Sequence, residues 1–297
     1  MEMSGPWSVV YHRPDMNRVF VGRDIFGRLS LVFTVDGDEI VISDVVQDSS
    51  LSAWHEIPFA QVSCIDTTNK SAVMHSYLPS YPEGIVGPWA DVFDSFSLKH
   101  EPMKDELIVA AAPACSVLDE SLACVLWFAL RGIGKDYDSG ESVESHARTF
   151  FVGSGADELL AGYARHRTRF ERDGAESIPE ECEAELRRLG CRNGGRDARV
   201  AAALGKELRA PFLKDDFVSW VNSLPMCIKC DLTLPRGKGE KKLLRQVLAE
   251  LGAPYDAPKQ AMQFGSGFVK MQNDKSLKGS DTSSILFEFQ NHSGSGD

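Results

Sequence analysis

The chain has no apolar run approaching the roughly 20 residues that a membrane-spanning helix requires. Its opening residues, MEMSGPWSVV, also lack the basic stretch followed by a long apolar one that marks a secretory signal. The sequence therefore predicts neither a membrane protein nor a secreted one. A cytoplasmic or nuclear location follows by default, and of the two we expect a cytoplasmic one.

Disulfide and metal signatures are also scarce. The seven cysteines are odd in number and irregularly spaced, which predicts reduced thiols rather than a disulfide framework. Cys227 and Cys230 have the spacing of half a zinc site, but no second CxxC or HxxxH pattern follows them. We therefore favour ordinary thiols over a metal site at this position.

An excess of positive charge is missing as well. The chain has 32 Lys and Arg against 43 Asp and Glu, a net charge of −11. Arginines are dense between residues 165 and 209, but acidic residues are interleaved with them, as on solvated helix faces. Because nucleic-acid binding needs clustered basic residues, no nucleic-acid partner is predicted. No internal repeat is visible either, which excludes a solenoid.

The length of 297 residues and a hydrophobic content of 43% allow a sizeable core and suggest about two domains. Between residues 7 and 46, short alternating bursts with turn clusters at 14–17 and 35–38 predict an antiparallel meander.

Between about 65 and 115 periodicity is poor and proline and glycine are frequent, which is typical of a linker. Residues 271–297 are polar except for one apolar burst, which predicts a disordered tail, with docking of a partner as the alternative.

Helical signals dominate the C-terminal half. From Leu118 apolar residues recur at helical spacing, Asp119 can cap this helix, and Gly132 stands where it would stop. Further helices are predicted at about 157–172, 180–190, 196–206, 213–223 and 239–251. Almost no strand is expected after residue 155. The patterns together predict a fold of the mixed α/β class, which is α+β when the chain is taken as a whole.

The stretch FFVGSGADELLAGY at residues 150–163 predicts a strand, a loop and a helix. Residues 150–152 suit a buried strand, and Gly153 and Gly155 allow backbone angles and close approaches that side chains would block. Asp157 and Glu158 then fall at a helix N-terminus, where carboxylates can hold Mg²⁺ beside a phosphate bound by the loop. The alternative is a helix capped by Asp157 without a ligand, which these residues alone favour because short glycine-rich motifs give many false matches.

A second candidate stretch is PRGKGEKKLLR at residues 235–245. Its cations fall in the first turns of a predicted helix, where they oppose the helix dipole, so an anionic ligand explains them better than stability does. Lys241 and Arg245 are four residues apart on one helix face and can approach a triphosphate or pyrophosphate together. The alternative is a solvated basic turn.

These stretches resemble the asparagine synthetase family. The GSGADE loop at 153–158, ELRAPFL at 207–213 and GKGEKKLLR at 237–245 come in the order and approximate spacing of its synthetase domain. GRDIFGR at 22–28 looks like a turn of its glutaminase domain. The resemblance covers about residues 5–65 and 115–268.

The resemblance implies a partial N-terminal nucleophile-type β-layer followed by a mostly helical, truncated Rossmann-like ATP-pyrophosphatase domain. We accordingly predict a truncated glutaminase-like domain of the class II amidotransferase type at residues 1–65. An irregular junction follows at 66–115, an asparagine synthetase-like domain at 116–270 and the tail at 271–297. A homo-oligomer or a protein partner is left open.

The resemblance also implies a function, namely that of a glutamine-hydrolysing ligase that amidates aspartate to asparagine with ATP and Mg²⁺. Its substrates would be aspartate and either glutamine or ammonia. Lys241 would be the catalytic residue, neutralising the phosphates during adenylation, and Asp157 would hold Mg²⁺. The remaining nucleotide-binding residues would be Val152, Gly153, Ser154, Gly155 and Arg245.

Three departures from the family pattern bear on this activity. Glu2 follows Met1 and the first cysteine is Cys64, so the expected N-terminal nucleophile of glutamine hydrolysis is missing. The Ser-Gly-Gly-x-Asp-Ser pyrophosphate loop does not occur in this sequence, and Ser154 stands where the family carries a glutamate. The hypotheses are therefore an asparagine synthetase with impaired activity and a non-catalytic interaction or regulatory pseudoenzyme, with another amidotransferase reaction ranked last.

Overall fold

A computed structural model describes residues 5–36, 39–46, 54–68, 71–76, 106–107, 109–114, 116–135, 139–260 and 262. The chain divides into two compact units. The sheet unit comprises Trp7–Phe150, Cys191–Leu208 and Met262–Asp297, and the helical unit comprises Met1–Pro6, Phe151–Gly190 and Arg209–Ala261. The predicted boundaries at residues 65, 115 and 270 remain predictions, and the predicted tail at 271–297 lies outside the described residues.

Strands and helices both contribute to the fold, so the predicted mixed α/β class is confirmed. The strands of the described residues are β1 (Ser8–Arg13), β2 (Arg18–Arg23), β3 (Val32–Asp36), β4 (Glu39–Ser43), β5 (His55–Glu56), β6 (Gln61–Asp66), β7 (Ser71–Ser76), β8 (Ile133–Lys135), β9 (Ser142–Glu144), β10 (Thr149–Phe151) and β11 (Glu207–Arg209). The helices are α1 (Val117–Arg131), α2 (Ala156–Leu159), α3 (Ala164–Asp173), α4 (Ile178–Leu189), α5 (Gly195–Ala203), α6 (Asp215–Ser223), α7 (Met226–Lys229) and α8 (Lys242–Glu250).

The N-terminal strands form two antiparallel sheets, with the orders β1-β2-β6-β7 and β4-β3-β5. Both predicted hairpins, β1–β2 and β3–β4, are present, but the single meander is wrong because β2 pairs next with β6. The cause lies in the turn after β2. There the buried Asp24 carboxylate accepts hydrogen bonds from Phe26 N and Arg28 Nε, both at 2.9 Å. The Arg23 guanidinium donates hydrogen bonds to two backbone carbonyls of the same turn. These hydrogen bonds keep the turn compact, and the turn separates β3 from β2.

A regular strand also lies within the stretch that was expected to be irregular. β7 pairs along the whole length of β6, so backbone hydrogen bonds rather than side-chain periodicity define it. Residues 77–105 of the predicted junction lie outside the described residues.

Two apolar clusters lie in the described part of the sheet unit. The first consists of Val21, Leu31, Ile57 and Ile65, from the strands and the chain between them. The second joins α1 to α5 and includes Trp127 and Val200. The helix predicted from Leu118 is present as α1, and its buried apolar side chains, which include Ala123, Trp127 and Leu130, lie at helical spacing.

The ends of α1 test the predicted signals directly. Gly132 has a φ of 70° and ends the helix, as predicted. The predicted cap is wrong, because the Ser116 hydroxyl accepts the hydrogen bond from Asp119 N at 3.1 Å. The Asp119 carboxylate instead accepts a hydrogen bond from Arg196 at 2.7 Å, a contact that no local pattern signals.

In the helical unit, the single helix predicted at 157–172 is two helices, α2 and α3. Ala161 has a φ of 53° and lies between them. Gly162 N donates to Asp157 O at 2.8 Å, which closes a turn that cannot continue as an α-helix. Ala161 and Cys182 belong to the apolar cluster of this unit, so burial of the turn fixes the break.

The strand predicted at residues 150–152 is present as β10, but its predicted burial is wrong. Phe151 is 72% exposed. Among the described residues, β10 forms a sheet of two strands with β11, and two strands cover too little surface to bury such a side chain. In the described residues after 155, β11 is the one strand, in agreement with the expectation that almost no strand follows residue 155.

Candidate functional site

The loop between β10 and α2 is held by its neighbour ELRAPFL. Val152 N donates a hydrogen bond to Arg209 O at 2.9 Å. Gly155 has a φ of 96° and caps α2, and a Cβ atom on it would lie 2.4 Å from Leu213 Cδ2. Glycine is therefore required at 155, as predicted. At Gly153 an added Cβ would meet nothing within 4 Å, so the close approach predicted there is wrong.

Asp157 lies in the first turn of α2, not at its cap, and its carboxylate faces two lysines. Asp157 Oδ1 is 2.9 Å from Lys241 Nζ, and Asp157 Oδ2 is 4.0 Å from Lys259 Nζ. Oδ1 is buried and accepts no hydrogen bond in the described part of the chain, so its contact with Lys241 is an ion pair without hydrogen-bond geometry. Gly162 makes room for this oxygen, since a Cβ there would lie 1.9 Å from it.

Lys241 is fixed at the start of α8. It was predicted to lie inside the helix, but it is the N-cap residue and has a φ of 52°. Its backbone N–H donates to Leu160 O at 3.0 Å, which ties the start of α8 to the turn that follows α2. This hydrogen bond brings Lys241 to Asp157, as the interpretation of both stretches as one site requires.

Arg245 does not accompany Lys241 to the carboxylate. Its guanidinium donates to three backbone carbonyls, those of Glu240 at 2.9 Å, Tyr255 at 2.6 Å and Ala257 at 3.1 Å. These contacts hold the chain after α8 and are structural. The assignment of Arg245 to a bound phosphate remains a prediction, and its observed contacts do not require a ligand.

Lys259 is the residue that the sequence reasoning missed. Its Nζ lies 4.8 Å from the centre of the Tyr163 ring, and the Arg165 guanidinium lies 4.2 Å from the same ring. Burial lowers the pKa of Lys259, Asp157 opposes this shift, and Lys241 lowers the pKa further. Lys259 begins the stretch KQAMQFGSG. This stretch has neither helical nor strand periodicity, so no local pattern marked Lys259 as a site residue.

The second acid of the loop, Glu158, contacts Tyr163. Glu158 is buried and accepts a hydrogen bond from the Tyr163 hydroxyl. His166 is fully buried beside this pair, and its Nδ1 accepts a hydrogen bond from Tyr163 N at 3.2 Å. Burial lowers the pKa of His166 to about 4, so the ring is neutral at pH 7. Glu158 and His166 therefore fix Tyr163, which in turn packs under Lys259.

A small cleft opens beside this cluster, with a cavity volume of about 10 Å³. Its lining residues are Gly162, Tyr163, Ala164, Arg167, Leu232, Arg236, Glu240 and Lys259. Three of them are basic and one is acidic, which favours an anion. This volume is far below the roughly 300–1,000 Å³ of most small-molecule pockets, so the cleft has room for about one water molecule and not for a whole nucleotide.

In the part of the chain that the structure describes, no group of three or more His, Cys, Asp or Glu side chains is placed to hold a metal ion. The two cysteines of the CxxC pattern lie in different environments, since Cys227 is exposed and Cys230 is buried. Over the same ranges no helix is both long and apolar enough to span a bilayer.

Comparison with known proteins finds similarity over part of this chain. Residues 173–267, which include Lys241 and Lys259, match the asparagine synthase family. Asparagine synthetase domain-containing protein 1 of Mus musculus is 51% identical over 164 residues, which are 54% of this chain and 26% of the relative. Its Homo sapiens counterpart is 51% identical over 164 residues, with the same coverage of 54% and 26%.

A relative named for the reaction itself matches more weakly. Asparagine synthetase (glutamine-hydrolyzing) of Gallus gallus is 36% identical over 124 residues, 40% of this chain and 21% of the relative. Because residues 173–267 match the asparagine synthase family model and more of the chain is similar to these relatives, the resemblance inferred from its motifs is confirmed. The chain spans only about a quarter of the length of the curated relatives it matches.

Proposed function

We propose that the helical unit binds the phosphate chain of Mg²⁺-ATP in an asparagine synthetase-like reaction, in which aspartate is adenylated and then amidated with ammonia released from glutamine. The observation that carries the proposal is the contact of one carboxylate with two ammonium groups. Lys241 Nζ is 2.9 Å and Lys259 Nζ is 4.0 Å from the Asp157 carboxylate.

The charge balance of this cluster favours an anionic ligand. Two lysines facing one carboxylate leave an excess of one positive charge, in a chain whose net charge is −11. Both lysine side chains are only about a fifth exposed, at 20% and 22%, so their charges are weakly screened by water. A phosphate group placed against them would relieve the repulsion between the ammonium groups and gain charge-assisted hydrogen bonds.

The residues present also fit a divalent cation. Asp157 Oδ1 is a buried carboxylate oxygen without a hydrogen-bond donor in the described chain, which is the type of ligand that Mg²⁺ prefers. Mg²⁺ keeps several waters and takes few protein ligands, so one carboxylate together with the phosphates suffices. When bound, the ion would neutralise the phosphates and leave Lys241 free to contact them.

The other predicted residues receive limited roles in this proposal. Lys241 would stabilise the negative charge that develops on the phosphates during adenylation. Val152, Gly153, Ser154 and Gly155 would line the nucleotide through backbone groups, because Gly155 and its hydrogen-bonded neighbours fix the shape of the loop. Lys259 is added to the predicted set as a second phosphate contact.

Binding can be tested by thermal unfolding of the purified full chain, with and without Mg²⁺-ATP. A ligand that binds the folded state raises the melting temperature with its concentration. We expect Asp157→Asn and Lys241→Ala each to abolish the increase. The matched control is the exposed pair Glu183–Arg187 on α4, where Glu183→Gln and Arg187→Ala should leave the increase unchanged. An equal increase in all four variants would refute the assigned site.

A second candidate function is a non-catalytic, nucleotide-sensing interaction protein. It is favoured by the ion pair itself, because Asp157 and Lys241 already neutralise one another at 2.9 Å and Arg245 is held by carbonyls. The two functions are distinguished by pyrophosphate release with aspartate, ATP, Mg²⁺ and either ammonia or glutamine. Release above a no-enzyme control supports the synthetase, whereas Mg²⁺-ATP binding without release supports the sensing protein.

A further inference from the structure

The CxxC pair is a chemical feature that the phosphate site does not use. Cys227 lies in α7 and is exposed, whereas Cys230 follows α7 and is 5% exposed. Cys230 N donates to Met226 O at 2.9 Å, which closes the helical turn around the pair. The two cysteines therefore share one short turn, with one thiol at the surface and the other beneath it.

The geometry of this turn is compatible with a disulfide. Residues three apart in an α-helix have Cα atoms about 5 Å apart, within the roughly 4.4–6.8 Å found for disulfides. Cys230 itself is extended, with φ −148° and ψ 161°, so the helix does not fix the direction of its side chain. Since α7 has only 4 residues, closing the bond perturbs no long helix.

The environments of the two thiols determine which of them reacts first with a dissolved disulfide. The buried Cys230 lies in an apolar cluster with Cys182, and burial raises the pKa of Cys230 to about 11 and that of Cys182 to about 12. Buried protonated thiols react slowly with dissolved disulfides. Cys227 is therefore the thiol that a soluble reagent meets first, and Cys230 is its neighbour.

We propose that Cys227 and Cys230 form a reversible thiol–disulfide pair that reacts with small disulfides such as oxidised glutathione. The Cys227 thiolate attacks one glutathione sulfur, forming a mixed disulfide and releasing one reduced glutathione. Cys230 then loses its proton and attacks Cys227 Sγ, which releases the second. Two protein thiols are oxidised and one glutathione disulfide is reduced to two thiols. This pair functions independently of any nucleotide.

The linkage can be identified by peptide mapping, because Lys229 lies between the two cysteines. Trypsin acting on the oxidised, thiol-blocked full chain cuts after Lys229, so the disulfide joins the peptide 215–229 to the peptide 230–236. We expect this pair of peptides after equilibration with oxidised glutathione and its loss on adding reduced glutathione. A link from 230–236 to the Cys182 peptide 173–187 would overturn the proposal.

Variants separate the roles of the two thiols. Cys230→Ser, with Cys230→Ala as a second version in case the buried hydroxyl impairs folding, should accumulate one stable glutathione adduct on Cys227. Cys227→Ser should accumulate none at positions 227 and 230, and Cys182→Ala should form the 227–230 disulfide as the wild type does. Adducts on Cys230 in the Cys227→Ser chain would contradict the assigned order.

Discussion

Gly162 makes room for the carboxylate of Asp157, because a Cβ atom on Gly162 would lie 1.9 Å from Asp157 Oδ1 and 2.9 Å from Asp157 Cα. We expect Gly162→Ala to destabilise the chain by about 1–3 kcal/mol, the usual cost of overpacking. Chemical denaturation measures this change. Asp157→Ala in the same chain should recover part of the loss, since it removes the carboxylate oxygen but leaves the backbone of residue 157 in place. Strictly additive effects of the two substitutions would contradict the close approach of Gly162 to this carboxylate.

Gly155 combines a left-handed backbone with a contact to Leu213. Its φ is 96°, and a Cβ would lie 2.4 Å from Leu213 Cδ2. Gly155→Ala should cost about 2–3 kcal/mol from strain and overlap together. Gly153→Ala is the matched control in the same loop and should be nearly neutral, because its Cβ meets nothing within 4 Å. Equal losses at both positions would argue against the loop structure.

His166 makes stability depend on pH. Burial lowers its pKa to about 4, whereas an unfolded histidine titrates near 6.5. As the pH falls, His166 of the unfolded chain therefore binds a proton before His166 of the folded chain does. The contribution of neutral His166 to the free energy of unfolding is complete above about pH 6.5 and is lost as the pH falls toward 4. The full effect is about 3 kcal/mol.

Unfolding free energies of the wild type and of His166→Asn, measured between pH 7 and pH 4, check this dependence. The variant should lose the part of the pH dependence that His166 supplies. His146→Asn serves as the control, because the His146 side chain is 87% exposed and should leave the profile unchanged. A wild-type slope that persists in His166→Asn would assign the dependence to other groups.

The Glu56 carboxylate forms ion pairs with two buried guanidinium groups in the sheet unit. Its Oε1 is 3.2 Å from Arg23 Nη1 and 2.8 Å from Arg199 Nη1, and both arginine side chains are only 1% exposed. Glu56→Gln leaves these buried charges without their shared carboxylate, so we expect a loss of about 3 kcal/mol in denaturant unfolding. Asp15→Asn, at the exposed Arg13–Asp15 pair, should cause no measurable loss.

Local chemistry in the sequence was sufficient for several features of the fold. Gly132 ends α1, Gly155 must be glycine, and the β1–β2 and β3–β4 hairpins follow their turn residues. These features depend on backbone angles and periodicity within a few residues, which the sequence displays directly. The break between α2 and α3 was missed, since apolar spacing continues through residues 160–163 while burial of Ala161 fixes a left-handed turn.

The sequence by itself determined the residue types of the candidate site, a carboxylate in a glycine-rich loop and a lysine before a distant helix. Only the tertiary structure decided which of them meet. The hydrogen bond from Lys241 N to Leu160 O brings Lys241 to Asp157, and three carbonyls take Arg245 away from it. The same folding brings in Lys259, which no local pattern marks, because contacts between distant segments depend on how the whole chain packs.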